Sequence, residues 1–184
     1  MQLPLFPLRI CLLPGGYTQL RIFEPRYQRL VSESLTHNAG FGLCMLSDDG
    51  KQVLTFGTHC YITDFERLQD GMLGITVRGE QRFIINSMTT ENDGLRRGTV
   101  SLLPQWPATR LPEIDVRLGD TLRELLKQLP AQLQHYNNSD FMDLSWLCQR
   151  WLEIIPVSAK DKQTCIAADD HHRALEFIRT LFQE

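Results

Sequence analysis

The run Asp169-Asp170-His171-His172 sets two carboxylates beside two imidazoles, the residue types of a metal site. Its spacing argues against one. Adjacent residues on a helix point about 100° apart, whereas chelation from one helix needs partners three or four positions on. An acidic pair ahead of a helix has another use: it accepts the first free N–H groups and complements the helix dipole. Asp169 or Asp170 is therefore expected to cap the last helix, and neither a metal nor any other cofactor is expected. His59-Cys60 has the residue types of a nucleophilic pair, but strand neighbours face opposite sides of a sheet. A reactive thiol also needs a low pKa and partial exposure. Ser158 and Lys160 have the types of a Ser–Lys dyad, yet Ser158-Ala159-Lys160-Asp161 has the form of a capping box, which employs the serine at a helix start. The chain has no Gly-x-x-x-x-Gly-Lys-Ser/Thr, no Gly-x-Gly-x-x-Gly, no His-Glu-x-x-His and no Gly-x-Ser-x-Gly. No catalytic residue is assigned, and the chain is expected not to be an enzyme.

The elements that would carry these residues begin with a proline-broken stretch, "LPLFPLRICLLPGGYTQLRIFEPRYQRLV", over residues 3–31. It has no basic region before its apolar part and is interrupted by Pro4, Pro7, Arg9 and Pro14, unlike a secretory leader. No run approaches the roughly 18 apolar residues of a membrane span. The five cysteines are odd in number and form no Cys-x-x-Cys pair, which fits free thiols in a reducing compartment. A cytoplasmic protein without a membrane association is expected. The 184 residues suffice for one domain, or a small domain with a helical appendage. A net charge of -3 supplies no overall field for nucleic acid or an anionic membrane.

Residues 3–12 read as a short edge strand, since proline is tolerated at sheet edges. Pro14-Gly15-Gly16 is a turn and "YTQLRIF" a strand. Glu24-Pro25 starts a helix that buries Tyr27, Leu30, Val31 and Leu35, turns Arg26, Arg29 and Glu33 to water, and stops at Asn38-Ala39-Gly40. Short strand signals follow: "FGLCML", then "TFGTHCYITDFERL" with Gly57 a candidate bulge. "MLGITV" leads through Arg78-Gly79 into "EQRFIINSMT" as a hairpin, and "GTVSLL" comes last. Beyond a connector with Pro104, Pro107 and Pro112 the period becomes helical. Asp120 is expected to cap one helix, with Pro130 kinking or ending it. Asp143 is expected to cap "LSWLCQRWLEII", whose stripe is Leu144, Leu147, Cys148, Trp151, Ile154 and Ile155. The last helix should bury Leu175, Ile178, Leu181 and Phe182. The class is α+β: a small barrel with one embedded helix over residues 1–112, then a helical bundle over residues 113–184.

The ordered succession Leu3-Pro4-Leu5-Phe6-Pro7-Leu8, Leu13-Pro14-Gly15-Gly16 and Leu20-Arg21-Ile22-Phe23-Glu24-Pro25-Arg26-Tyr27 resembles the start of the Lon N-terminal domain family. More narrowly, it resembles the stand-alone bacterial proteins that carry this domain without a protease. Phe41-Gly42, Gly57-Thr58, Asp70-Gly71, Gly79-Glu80-Gln81-Arg82-Phe83 and Leu103-Pro104 continue the likeness, as does the segment 152–181. The resemblance implies a PUA-like pseudo-barrel followed by a helical bundle, and a non-catalytic module related to substrate recognition, without the ATPase or Ser–Lys protease modules. The expected partner is protein: exposed apolar segments of unfolded polypeptide, or a folded protein.

Candidate contacts are Phe6, Phe23, Tyr27 and Trp106, with Arg9, Arg21 and Arg26 to orient polar groups. They would work at an open barrel edge on the first strand, or in a groove between barrel and bundle. Trp106, in the proline-rich connector, is expected to be an exposed anchor or a latch between the two parts. Core packing remains the alternative for Phe6 and Tyr27. RNA binding is a second class, on fold analogy alone, and the mild acidity weighs against nucleic acid. A small-molecule receptor or an enzyme with a scattered site is a third. A monomer or weak dimer is expected.

Overall fold

The computed structural model describes residues 1–183. Six strands form one mixed sheet: β1 (Gln2–Leu8), β2 (Tyr17–Ile22), β3 (Phe41–Leu46), β4 (Val53–Arg67), β5 (Leu73–Thr90) and β6 (Arg96–Leu102). The pairings β1–β3, β3–β4, β4–β5, β5–β6 and β6–β1 return to their starting point, so five strands close a barrel. Strand β2 stands outside this circuit, antiparallel to the first residues of β5. Helix α1 (Pro25–His37) follows β2, as Glu24-Pro25 leads one to expect: proline fills the first turn, and Asn38 ends the helix with a left-handed φ of 47°. Five helices follow the barrel: α2 (Val116–Leu126), α3 (Pro130–Leu133), α4 (Leu144–Ile154), α5 (Ala159–Ile166) and α6 (His172–Phe182). The architecture is α+β, with a barrel and then helices.

Several local expectations are corrected. Strand β1 is not an edge. It runs parallel to β3 over Leu5–Leu8 and antiparallel to β6 over Gln2–Leu5. Because the partner changes at Leu5, Pro4 pairs only with Arg97 and Pro7 only with Cys44, and each proline has a ladder on one side only. Arg78-Gly79 is no hairpin turn; β5 runs through it as one strand of 18 residues. The glycine serves a close approach instead. A Cβ on Gly79 would lie 2.4 Å from the Leu13 carbonyl, where the Pro14-Gly15-Gly16 turn crosses the strand. Gly57 stays in register with Cys44 and Phe83, and the irregularity lies just beyond it, between Cys44 and Leu46 of β3.

Among the helices, Asp120 lies inside α2 rather than capping it. A 3-10 turn at Glu113–Asp115 begins the helix earlier, and buried Asp115 is held by Arg179 at 2.7 and 3.0 Å. Pro130 opens the short α3. Asp143 and Ser158 do cap α4 and α5, accepting from the Ser145 and Asp161 N–H groups. The buried face of α1 is Leu30, Val31 and Ser34, while Leu35 turns outward. Ile154 and Leu181 are likewise exposed at the ends of their stripes.

The barrel and the helices share a core. One apolar cluster unites Cys11, Leu13 and Met45 with Trp106, Leu147, Trp151, Leu152, Ile166 and Ile178. A second, under α1, gathers Phe6, Ile22, Leu30, Val31, Phe41, Ile75 and Val77. Hydrophobic burial of this extent is the dominant favourable term in folding.

Candidate functional site

A groove of about 290 Å³ opens where the end of β1, the end of β2 and the start of α1 meet. Its walls include Phe6, Leu8, Arg21, Ile22, Phe23, Glu24, Arg26, Tyr27, Leu46 and Arg96. Five of the seven residues expected from the sequence to make contacts are therefore brought together: Phe6, Arg21, Phe23, Arg26 and Tyr27. Each owes its place to its element. Phe6 points inward from β1, is 5% exposed and forms the floor. Tyr27, in the first turn of α1, stacks on it with centroids 4.0 Å apart and planes 10° from parallel. Phe23 sits in the short link between β2 and α1, where neither element covers it, and remains 59% exposed. An aromatic left in water beside a stacked aromatic pair is an apolar contact surface.

Of the cations around these rings, Arg26 and Arg96 are half-buried and Arg21 is exposed. Arg26 spans Glu24 (2.8 Å from Nε) and the face of Tyr27, 5.0 Å from its ring centre. Arg21 pairs with Asp70 across the β4–β5 turn. Arg96, contributed by β6, makes no ion pair or side-chain hydrogen bond among the described residues. Neither Arg96 nor Leu46 was singled out from the sequence. Both are ordinary in their local context, and only barrel closure brings them to residues 6–27. Burial raises the pKa of the Tyr27 hydroxyl above its ordinary value.

Arg9 and Trp106 lie elsewhere. Arg9 is exposed and donates to the Asp48 carbonyl at 2.9 Å, beside a separate hollow with Lys162. Trp106 is not an exposed anchor: it is 6% exposed, and its indole N–H donates to the Ala168 carbonyl at 2.8 Å. It is the latch of the two expectations. Between barrel and helices, the space among Leu13, Met45, Phe56 and Ile166 is only about 10 Å³, but the hollow beside Arg9, lined by Cys11 and Asp48 on the barrel side and Val157, Ala159 and Lys162 on the helical side, is about 270 Å³.

That seam holds the charged residues most deeply placed in the molecule. Arg150 on α4 donates to the Leu13 and Pro14 carbonyls (3.1 and 2.7 Å), and Nε donates to Glu153 at 2.7 Å. Glu153 in turn accepts the Leu13 N–H at 2.7 Å, while the Gly15 N–H donates to the Gly79 carbonyl of β5 and the Gly79 N–H donates to the Gly16 carbonyl, both at 2.9 Å. The Leu-Pro-Gly-Gly turn is thus clamped on one side by β5 and on the other by α4. Arg82, 1% exposed, donates to the Ile166, Ala168 and Pro104 carbonyls. A signal for the first of these lay in "LCQRWLEII", where an arginine and a glutamate three residues apart interrupt an otherwise apolar run.

Several of the chemistry-bearing residues of the sequence have structural roles. Asp170 accepts the His172 N–H at 3.0 Å, and buried His171 meets the Ser145 hydroxyl at 3.2 Å. Among the described residues, no group of three or more His, Cys, Asp and Glu side chains is placed to hold a metal ion. His59 is buried with Nε2 2.7 Å from the Ala39 carbonyl. All five thiols are buried. Burial pushes those of Cys11, Cys44 and Cys148 up to about 12 and that of Cys60 well above its ordinary value. A thiol in that state is not a nucleophile. What the groove offers is apolar surface, aromatic faces and guanidinium donors. No helix among the described residues is long and apolar enough to cross a membrane.

Known proteins share this fold. The chain superposes on the crystal structure of a Lon N-terminal domain protein from Xanthomonas campestris with a TM-score of 0.78 and 30% identity, over 98% of both chains. The N-terminal domain of a Mycobacterium avium complex Lon protease shares the fold at a TM-score of 0.66 and 15% identity, over 97% of this chain and 96% of that one. Among curated proteins, cereblon from Gallus gallus is 26% identical over 107 residues, and cereblon from Danio rerio 28% over 110. Each match takes in 56% of this chain but only 24% and 26% of those proteins, about a quarter of their length. The family model of the substrate-binding domain of the ATP-dependent protease La (Lon) matches residues 2–183. The chain belongs to the Lon substrate-binding domain family.

Proposed function

We propose that the protein is a non-catalytic recognition module that binds exposed apolar segments of polypeptide in the groove between β1, β2 and α1. One observation carries this reading. The groove sets a 59% exposed phenylalanine, Phe23, beside the stacked Phe6–Tyr27 pair, and rims them with arginines. Large aromatics and arginine are the residues that dominate protein recognition surfaces. Family membership supports it, since the matched model describes a domain that binds substrate. The cereblon matches cover only a part of those proteins and lend no activity to this chain.

The test uses reduced, carboxymethylated lactalbumin, a permanently unfolded chain, against its native form. The protein should bind the unfolded form and not the native one, and Phe23→Ser should weaken binding about tenfold, the scale of losing one aromatic anchor. Equal affinity of Phe23→Ser and the parent protein would remove the groove from the reading. Salt-sensitive binding of a labelled single-stranded RNA, with none of the unfolded protein, would replace it by the nucleic-acid class.

A further inference from the structure

Of the six strands, β2 alone has a single ladder neighbour. Tyr17–Ile22 pair with Arg78–Leu73 of β5, and no strand lies on the other side among the described residues. An unpaired edge presents backbone donors and acceptors to any chain that comes alongside. Edges are ordinarily blunted by proline, bulges or repeated charge. Strand β2 has no proline, its ladder to β5 is without a register shift, and Arg21 is its one charged residue.

The two ends of this edge differ. At the Tyr17 end the way is closed: the Tyr136 hydroxyl accepts the Tyr17 N–H at 3.1 Å, and the His135 ring stacks on Tyr17 with centroids 4.1 Å apart. At the other end Arg21, Ile22 and Phe23 pass directly into the wall of the groove. There Arg96 has no ion pair among the described residues, whereas Arg21 and Arg26 are matched by Asp70 and Glu24. The site therefore carries one uncompensated positive charge beside its aromatic floor.

Resting on the reading that the protein binds polypeptide, we propose that β2 takes up an extended peptide as an added strand along Thr18–Ile22. An apolar side chain of that peptide enters the groove over Phe6 and Tyr27, and a neighbouring carboxylate pairs with Arg96. Backbone pairing supplies affinity that does not depend on sequence, and the groove supplies the preference for an apolar residue next to an acidic one. A second copy of this chain is a poorer occupant. Antiparallel pairing of β2 with itself would drive α1 of one copy onto His135 and Tyr136 of the other, where a free peptide simply ends.

The probe is a fluorescein-labelled dodecapeptide of alternating threonine and valine with one central Phe-Glu pair. Two isomers carry backbone N-methyl groups on its odd or its even residues, which removes donors along one edge and leaves every side chain in place. Strand addition requires one isomer to lose about tenfold in affinity, or more, while the other stays near the parent. Arg96→Glu should weaken the parent about tenfold and restore binding when the peptide's glutamate is replaced by lysine. If carboxymethylated lactalbumin binds but both N-methyl isomers match the parent peptide, strand addition is overturned and the polypeptide-binding reading stands. If lactalbumin binds and the parent peptide does not, strand addition is likewise overturned. If neither probe binds, both fall. A tight dimer of the free protein in sedimentation would give the edge to a second copy and overturn the proposal.

Discussion

Two clusters of arginine and aromatic rings, built from the same residue types, stand at opposite levels of burial. In the seam, Arg150 lies 5.0 Å from the Trp146 ring centre and Arg82 5.4 Å from that of Trp106. Both guanidinium groups are about 1% exposed and donate to carbonyls of the chain itself, Arg82 through both Nη atoms and Arg150 through Nη2, while Arg82 Nε and Arg150 Nη1 are buried without a partner among the described residues. In the groove, Arg26 lies 5.0 Å from Tyr27, yet it stays half-buried and is paired with a carboxylate that water can replace. Composition does not separate a scaffold from a binding surface; the number of donors already committed inside the fold does. A buried cation bonded to carbonyls of both layers holds them together, and one left at a rim is available to a ligand.

The comparison is most sharply strained by Arg150→Ala. It leaves Glu153 buried without its partner and the Leu13 and Pro14 carbonyls without a donor, and should cost about 3–5 kcal/mol in urea unfolding. A loss below about 1 kcal/mol would mean the seam is not held by this pair. Gly79→Val comes next. Its side chain would meet the Leu13 carbonyl, and an overpacking cost of about 1–3 kcal/mol is expected by the same measurement.

A smaller effect follows pH. Burial lowers the His171 imidazole below its ordinary 6.5, so on acidification the unfolded chain takes up this proton first. Stability should therefore fall as pH drops below 6.5 and level off once the folded form is also protonated. His171→Gln should remove that slope in thermal melts taken between pH 7 and about 5; an unchanged slope would assign it to other groups. Smallest in stability is Phe23→Ser, within about 0.5 kcal/mol because the ring is exposed. Its effect belongs to binding alone, which is the contrast with Arg150→Ala.

How much of this was legible beforehand follows from how local each determinant is. Glu24-Pro25, Asn38, Asp143 and Ser158 act on backbone within four residues, and their helix ends were readable. The prolines of β1 were read as an edge because a strand with two different half-partners cannot be told from a one-sided one without the fold. Gly79 was read as a turn because glycine marks both turns and close approaches, and only the crossing of Leu13 decides between them. Arg21, Phe23, Arg26 and Tyr27 are gathered in the sequence by the short β2–α1 link and remain gathered in space, with Phe6 brought to them from β1. Arg96 and Leu46 join them only through barrel closure, and only the fold decides that Trp106 is the latch rather than the exposed anchor, since a proline-rich connector need not be a free one.

The account turns on which surface meets the polypeptide. Titrating carboxymethylated lactalbumin into the isotopically labelled protein and following its amide resonances tests that directly. Shifts concentrated at Phe6, Leu8, Thr18–Tyr27 and Arg96 are the expected result. Shifts confined to the exposed side of the helices around Ile114, Val116 and Met142, with residues 18–27 unmoved, would contradict it.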